Sequence, residues 1–280
     1  MSPRAEPPPE VVERLRAAGC VFAEDEARLL LEAAATPAEL ELLLTRRTSG
    51  LPLEQVLGWV EFCGLRITVR PGVFVPRRRT ELLVRRAAPL AAPGSVVLDL
   101  CCGSGAVGAA LLAGEPAIRL YAVDVDPVAA ACAEENVSAR GGTVFTGDLF
   151  TPLPPDLGGK VDLIVANAPY VPTDSIERMP REARLYEARI ALDGGGDGLE
   201  VQRRLVSDAP EWLAPGGRLL VETSAAQAEH TQAIFARHGF TARIVRSRTL
   251  DATVVIGTHE RLQRTARAGP ATPGAEPAPR

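Results

Sequence analysis

Aromatic side chains are scarce, 4% of the chain, so any core must be assembled from Ala, Val and Leu within the 46% of residues that are hydrophobic. No run approaches the roughly 18 apolar residues of a membrane-spanning helix. A basic segment followed by an apolar stretch, the mark of a secretory leader, is also missing from the N-terminus, and the expected compartment is the reducing cytoplasm. The five cysteines, Cys20, Cys63, Cys101, Cys102 and Cys132, form no Cys-x-x-Cys pair. The three histidines stand at no ligand spacing from them, so no metal site is expected. Positive charge is not in excess: 31 Lys plus Arg against 35 Asp plus Glu leave a formal net charge of -4. A polyanionic partner is thereby disfavoured. The densest basic cluster, Arg77 to Arg79 with Arg85 and Arg86 beyond, is too small for a duplex footprint.

What is present is an ordered change of pattern along 280 residues, a length that suits one main domain with a smaller appendage. Residues 1–50 carry apolar positions at helical spacing (Val12, Leu15, Leu29, Leu30, Leu40, Leu43) and predict a small helical domain. Residues 51–92 change to short β-like pieces, Leu65 to Val69 and Val73 to Val75, broken by Pro52, Gly58, Gly64, Pro71 and Gly72, and predict a linker with a hairpin. Across residues 93–262 apolar strands alternate with helices: strands at Val96–Leu100, Leu120–Val123, Val161–Ala166, Leu219–Val221, Thr241–Val245 and Ala252–Gly257, with a third strand before Asp148. That alternation predicts a doubly wound, largely parallel α/β sheet. Only a few residues join the last two strands, too few for a crossover, so they should pair antiparallel. Residues 263–280 have no apolar periodicity and are expected to be disordered. A monomer is the expected state.

The first strand runs into Cys101-Cys102-Gly103-Ser104-Gly105-Ala106-Val107-Gly108 at the start of a helix. Glycines there let backbone and ligand approach closely. The same G-x-G-x-x-G match would suit a nicotinamide dehydrogenase. Three aspartates shift the reading to S-adenosylmethionine, which has a ribose to clamp and no pyrophosphate to seat. Asp99 at the first strand end can meet a cationic methionine moiety, Asp124 at the second can accept both ribose hydroxyls, and Asp148 after the third can meet an adenine amine. Each could singly be a cap or turn residue. All three, however, fall at the carboxyl edge of one sheet, where ligands of such sheets sit. The candidate cofactor-binding set is Asp99, Cys101, Gly103, Ser104, Gly105, Asp124, Val125, Asp148, Leu149 and Asn167.

The fourth strand ends in Asn167-Ala168-Pro169-Tyr170 at that same edge. Amide and aniline-like nitrogens are poor nucleophiles because the lone pair is delocalised. Two acceptors that hold both N–H groups draw such a nitrogen toward tetrahedral geometry and aim the lone pair. The Asn167 side-chain oxygen and the Ala168 carbonyl supply two acceptors, and Tyr170 offers a face to a planar group. Asn167, Ala168, Pro169 and Tyr170 are the candidate catalytic residues. Asn167, Pro169, Tyr170, Phe74 and Arg77 are the candidate substrate contacts.

With these motifs the chain resembles the protein-(glutamine-N5) methyltransferases of the HemK/PrmC type, which modify release factors. The tetrapeptide is similar to that family's Asn-Pro-Pro-Tyr. Leu51 to Gly58 with Glu61-Phe62, and Gly72 to Arg77 with Thr80-Glu81, resemble its interdomain hairpin and its Pro-Arg-x-x-Thr-Glu signature. Ala191 to Gly195 with Asp197 to Leu199, then Pro215 to Gly217, Glu222 and Gln227, resemble its later blocks. The resemblance implies an α/β fold, a doubly wound seven-stranded Rossmann-like class I methyltransferase sheet with an antiparallel last strand, preceded by a small helical domain that helps select a protein substrate. It implies S-adenosyl-L-methionine as cofactor and methylation of a glutamine amide in a release factor or similar target. The chain departs from the pattern at Ala168 (a Pro in the family), Cys101 (Gly), Arg79 (acidic) and Thr253 (Arg). The acceptor stays open between that amide, an adenine exocyclic amine, and a small-molecule or peptide amide. A non-catalytic cofactor-binding interaction protein is the alternative of another class.

Overall fold

The computed structural model describes residues 6–259; the tail at 263–280 lies outside the described residues. Four helices come first: α1 (Pro9–Ala17), α2 (Ala23–Ala33), α3 (Pro37–Thr48) and the single turn α4 (Leu53–Leu57). Helix α3 starts where the sequence says it must. Thr36 Oγ1 accepts from Glu39 N at 3.2 Å, Glu39 reaches back to Ala35 N at 2.8 Å, and Pro37 occupies the first turn, where its missing N–H costs nothing. The helices bury Leu15, Ala27, Leu30, Leu44 and Val56 in a cluster of their own.

Strands β1 (Trp59–Phe62) and β2 (Leu65–Thr68) form the hairpin, turning through Cys63 and Gly64 at φ 51° and 74°. Two successive positive φ values match the twist of a tight two-residue turn. Val73 to Val75, a β-like piece in the sequence, joins no sheet strand. Prolines 71 and 76 bracket it, and its polar backbone is taken by side chains: Val75 N donates to Glu187 Oε1 at 3.1 Å, and Val73 O accepts from Gln55 Nε2 at 3.3 Å.

After α5 (Glu81–Ala87), strand and helix alternate: β3 (Val96–Leu100), α6 (Ala106–Gly114), β4 (Arg119–Asp124), α7 (Pro127–Val137), β5 (Thr143–Thr146), β6 (Val161–Ala166), α8 (Arg181–Tyr186), α9 (Glu200–Trp212), β7 (Leu213–Thr223), α10 (Ala228–Arg237), β8 (Phe240–Ser247) and β9 (Ala252–His259). The sheet order is β5-β4-β3-β6-β7-β9-β8, with β9 antiparallel to both neighbours and every other pairing parallel. The order reverses at β3, which is buried along its whole length. Its period-two alternation feeds two cores. Val97, with Leu163, Val165 and Leu220, faces α5 and α6, while Leu98 and Leu100, with Ile164 and Val221, face the α9 and α10 side. Strand β7 runs from Leu213, well before the expected Leu219, because pairing with β6 carries it through Pro215, Gly216 and Gly217 past a register shift.

A buried charge ties the helices to the sheet domain. Arg47, 8% exposed, donates to Glu26 from Nε (2.6 Å) and Nη2 (3.1 Å), to Leu51 O at 2.9 Å and to Glu182 of α8 at 2.6 Å. Arg47→Met is expected to destabilise the protein by about 3 kcal/mol, since it leaves the Glu26 carboxylate buried without its cation. The check is urea unfolding, with the double variant Arg47→Met/Glu26→Gln recovering part of the loss.

Candidate functional site

Because β3, β4, β5 and β6 are parallel, their carboxyl ends open on one side of the sheet, around one cavity of about 410 Å³. The chain leaves β3 through residues held in the left-handed region, Cys101 at φ 56°, Gly103 at 54° and Gly105 at 74°. The three glycines of the motif have different jobs. Nothing lies within 4 Å of a Cβ built on Gly103, which faces the cavity. A Cβ on Gly105 would come 2.7 Å from Val137 Cγ2, and one on Gly108 would come 2.6 Å from Leu120 Cδ2, so these two admit close packing against α7 and β4. Asn136 of α7 locks the turn from behind: its Nδ2 donates to Ser104 O and Thr68 O, both at 2.9 Å, and its Oδ1 accepts from Thr68 N at 2.9 Å.

Asp99 shares the Val97 face of β3, is 2% exposed, and accepts from Gly108 N at 2.8 Å. Burial pushes its carboxyl up to about 7, against the pull of that hydrogen bond. Asp124 uses one lone pair of each oxygen on backbone, Oδ2 on Gly103 N at 2.8 Å and Oδ1 on Asp126 N at 2.9 Å. Each oxygen keeps acceptor capacity for a pair of neighbouring hydroxyls. Burial raises its pKa too. Asp148, expected to meet an adenine amine, is ion-paired with Arg204 of α9. Val125 and Leu149, the latter at φ 48°, supply apolar wall beside it. A carboxylate with acceptor capacity to spare between apolar walls, and a second, buried one at the glycine turn, are groups that fit S-adenosylmethionine.

Asn167 follows β6 directly. Its Nδ2 donates to Thr80 Oγ1 at 3.3 Å, while no described residue donates to its side-chain oxygen. Ala168 is fully buried, and Pro169 and Tyr170 are half-buried on the cavity wall. Gln227 of the loop before α10 pins the tetrapeptide by donating to Tyr170 O at 3.0 Å and to Asp197 O at 3.1 Å. Gly198 is a glycine because a Cβ there would collide with the Tyr170 carbonyl.

Of the residues named from sequence, Phe74, Asp99, Cys101, Gly103, Ser104, Asp124, Val125, Asp148, Leu149 and Asn167 to Tyr170 all line the cavity. Gly105 packs behind it, and Arg77 is spent elsewhere: its Nη2 donates to the buried Glu187 at 2.6 Å and its guanidinium lies over Phe74. Sequence reasoning missed Thr80, Arg79 and Glu222 as partners of the tetrapeptide, and the segment 172–192 that walls the mouth with Met179 and Ile190. This segment is clamped to the helical unit. Besides Arg47–Glu182, Tyr186 OH donates to Ser49 O at 3.1 Å and Gln55 Nε2 donates to Tyr186 O at 3.1 Å. Among the described residues no helix is long and apolar enough to cross a membrane.

A seven-stranded sheet in this order, switching at β3 and carrying a glycine turn capped by the carboxylate at the end of β4, defines an S-adenosylmethionine-dependent methyltransferase of class I. Residues 64–203 match the family model described as methyltransferase small domain. A release factor glutamine methyltransferase of Geobacter sulfurreducens is 44% identical over 200 residues, 71% of this chain and 69% of that one. One of Caulobacter vibrioides is 32% identical over 280 residues, 91% and 96% of the two chains. The chain belongs to the release factor glutamine methyltransferase family. A solved methyltransferase from Pyrococcus furiosus, 16% identical, shares the fold with a TM-score of 0.53 over 70% of this chain and 90% of its own.

Proposed function

We propose that this protein transfers a methyl group from S-adenosylmethionine to the side-chain amide nitrogen of a glutamine in a peptide chain release factor, in the cytoplasm. The observation that carries the reading is the Asn167 carboxamide at the carboxyl end of β6, its NH2 engaged by Thr80 and its oxygen left for the acceptor. The bound cofactor supplies an electrophilic methyl carbon on a sulfonium. Asn167 Oδ1 and the Ala168 carbonyl accept the two N–H groups of the glutamine amide, which localises the nitrogen lone pair and directs it at that carbon. Tyr170 and Phe74 cover the planar amide and keep water from it. No base is needed before attack, because the nitrogen sheds its proton readily once alkylated. Asp124 holds the ribose, and Asp99 faces the cationic end of the cofactor. The helical unit, residues 1–50, with the clamped segment 172–192, would receive the protein around the glutamine.

The test is incubation of purified protein with labelled S-adenosylmethionine and a release factor, with the modified residue mapped by mass spectrometry. A single methylated glutamine is expected. Label on adenine of added nucleic acid, or on no glutamine, would overturn the reading.

A further inference from the structure

Behind the tetrapeptide lies a carboxyl group that the transfer itself does not use. Glu222, the penultimate residue of β7, is 2% exposed, and neither of its oxygens has a fully formed hydrogen bond. A buried carboxylate left this open is costly and calls for a reason. The polar groups facing it come from two neighbouring segments. From the turn Arg78–Thr80 come the Thr80 hydroxyl and the Arg79 guanidinium, whose Nε stands 3.5 Å from Oε1; from the loop after β6 comes the Tyr170 hydroxyl. Gln202 of α9 reaches only the Glu222 backbone carbonyl, at 3.5 Å, and the neighbour in register on β9 is the apolar Val254. Thr80 therefore stands between two groups: the Glu222 carboxylate on one side and Asn167 Nδ2, at 3.3 Å, on the other.

We propose that Glu222, acting through Thr80, sets which end of the Asn167 carboxamide faces the acceptor. A hydroxyl has one proton to give. When Glu222 is ionised it can only accept, so the Thr80 proton turns toward it and the Thr80 lone pairs turn toward Asn167. The Asn167 NH2 then points at Thr80, and its oxygen faces the substrate nitrogen. When Glu222 is protonated it can donate to Thr80, whose own proton is freed to meet Asn167 Oδ1. The carboxamide then presents NH2 to a substrate NH2, and donor meets donor. Arg79 favours the productive setting by holding Glu222 in its charged form, and its guanidinium also lies over the Tyr170 ring, 5.9 Å from the centroid. Glu222 is thus a positioning residue, and the inference rests on the role given above to Asn167. Burial raises the Glu222 pKa while Thr80, Arg79 and Tyr170 lower it, so the ionised, productive form is lost as pH falls through that value.

Turnover of a release factor would be measured across mildly acid to alkaline pH, at saturating S-adenosylmethionine, for the unaltered protein, Thr80→Val, Thr80→Ser, Glu222→Gln and Arg79→Gln, with the cofactor dissociation constant of each taken by calorimetry. Thr80→Val should lower kcat by roughly 10- to 100-fold with cofactor affinity unchanged, and Thr80→Ser should restore it. The acid limb of kcat should vanish in Glu222→Gln and move to higher pH in Arg79→Gln. Full kcat in Thr80→Val, or the same acid limb in Glu222→Gln as in the unaltered protein, would overturn the proposal. Should Glu222→Gln fail to fold, the Thr80 pair and the Arg79→Gln limb decide. Failure of the underlying reading looks different: Asn167→Ala would then turn over normally whatever the Thr80 variants do.

Discussion

Asn167→Ala is expected to lower kcat by roughly 10²- to 10³-fold and leave the dissociation constant of S-adenosylmethionine within about twofold. The split follows from where the residue sits. Its carboxamide emerges from the end of β6 and is anchored by Thr80, whereas Asp124, the proposed ribose ligand, belongs to β4, two strands away across β3. Removing the carboxamide oxygen deletes an acceptor that acts on a developing charge at the substrate nitrogen, so the ground-state complex loses little. Asn167→Asp keeps an acceptor but cannot donate to Thr80, and should fall between the two. Calorimetry with S-adenosylmethionine and single-turnover transfer to a release factor check both numbers; equal losses in binding and turnover would mean that Asn167 belongs to the cofactor site alone.

Asp124→Ala should have the reverse signature: cofactor affinity down by about 100-fold or more, with kcat at saturating cofactor much less affected. Two charge-assisted hydrogen bonds to a ribose contribute on the order of 3 kcal/mol, which corresponds to about that factor. The substitution also strips Gly103 N and Asp126 N of their acceptor, so the glycine turn loosens as the clamp is lost. Asp124→Asn tests the second part. It preserves one carboxamide oxygen for the backbone and should recover part of the turn's order without the full ribose affinity. Equilibrium binding of S-adenosylmethionine and of adenosine distinguishes the cases, since adenosine presents the same two hydroxyls without the methionine.

The parts of this site that the sequence makes legible are those with a local cause. Strands β3, β4 and β6 are largely apolar runs with a polar residue at or next to the carboxyl end, and a parallel sheet puts all such ends on one side. Asp99, Asp124 and Asn167 could therefore be brought together by counting strands. The three glycines could be grouped, but their division of labour could not, because it depends on Val137 and Leu120, residues of other elements. Arg77 illustrates the limit more sharply. Its place in the Pro-Arg-x-x-Thr-Glu stretch is visible in the sequence, yet its charge is claimed by the buried Glu187, 110 positions away, and the side chain does not line the cavity. Asp148 also has its charge met, by Arg204, a partner not visible in the sequence, although both side chains line the cavity. Residue type announces that a charge needs an answer; only the fold says who answers it. Strand β1 shows only through the resemblance carried by Glu61-Phe62, for another reason: Trp59-Val60-Glu61-Phe62 is too short to show a period, and its turn at Cys63 and Gly64 lacks the Asn or Asp that signals a hairpin.

The wall formed by residues 172–192 is fastened at Ser49, Arg47 and Gln55, none of which belongs to the sheet domain. The mouth of the cavity is consequently a composite: residues 172–192 form that wall, and its anchors lie in the first fifty-odd residues. Losing those residues would leave the donor pocket walled as before while the doorway lost its fixed width. Selectivity for the protein around the glutamine would be forfeited ahead of the capacity to hold the methyl donor.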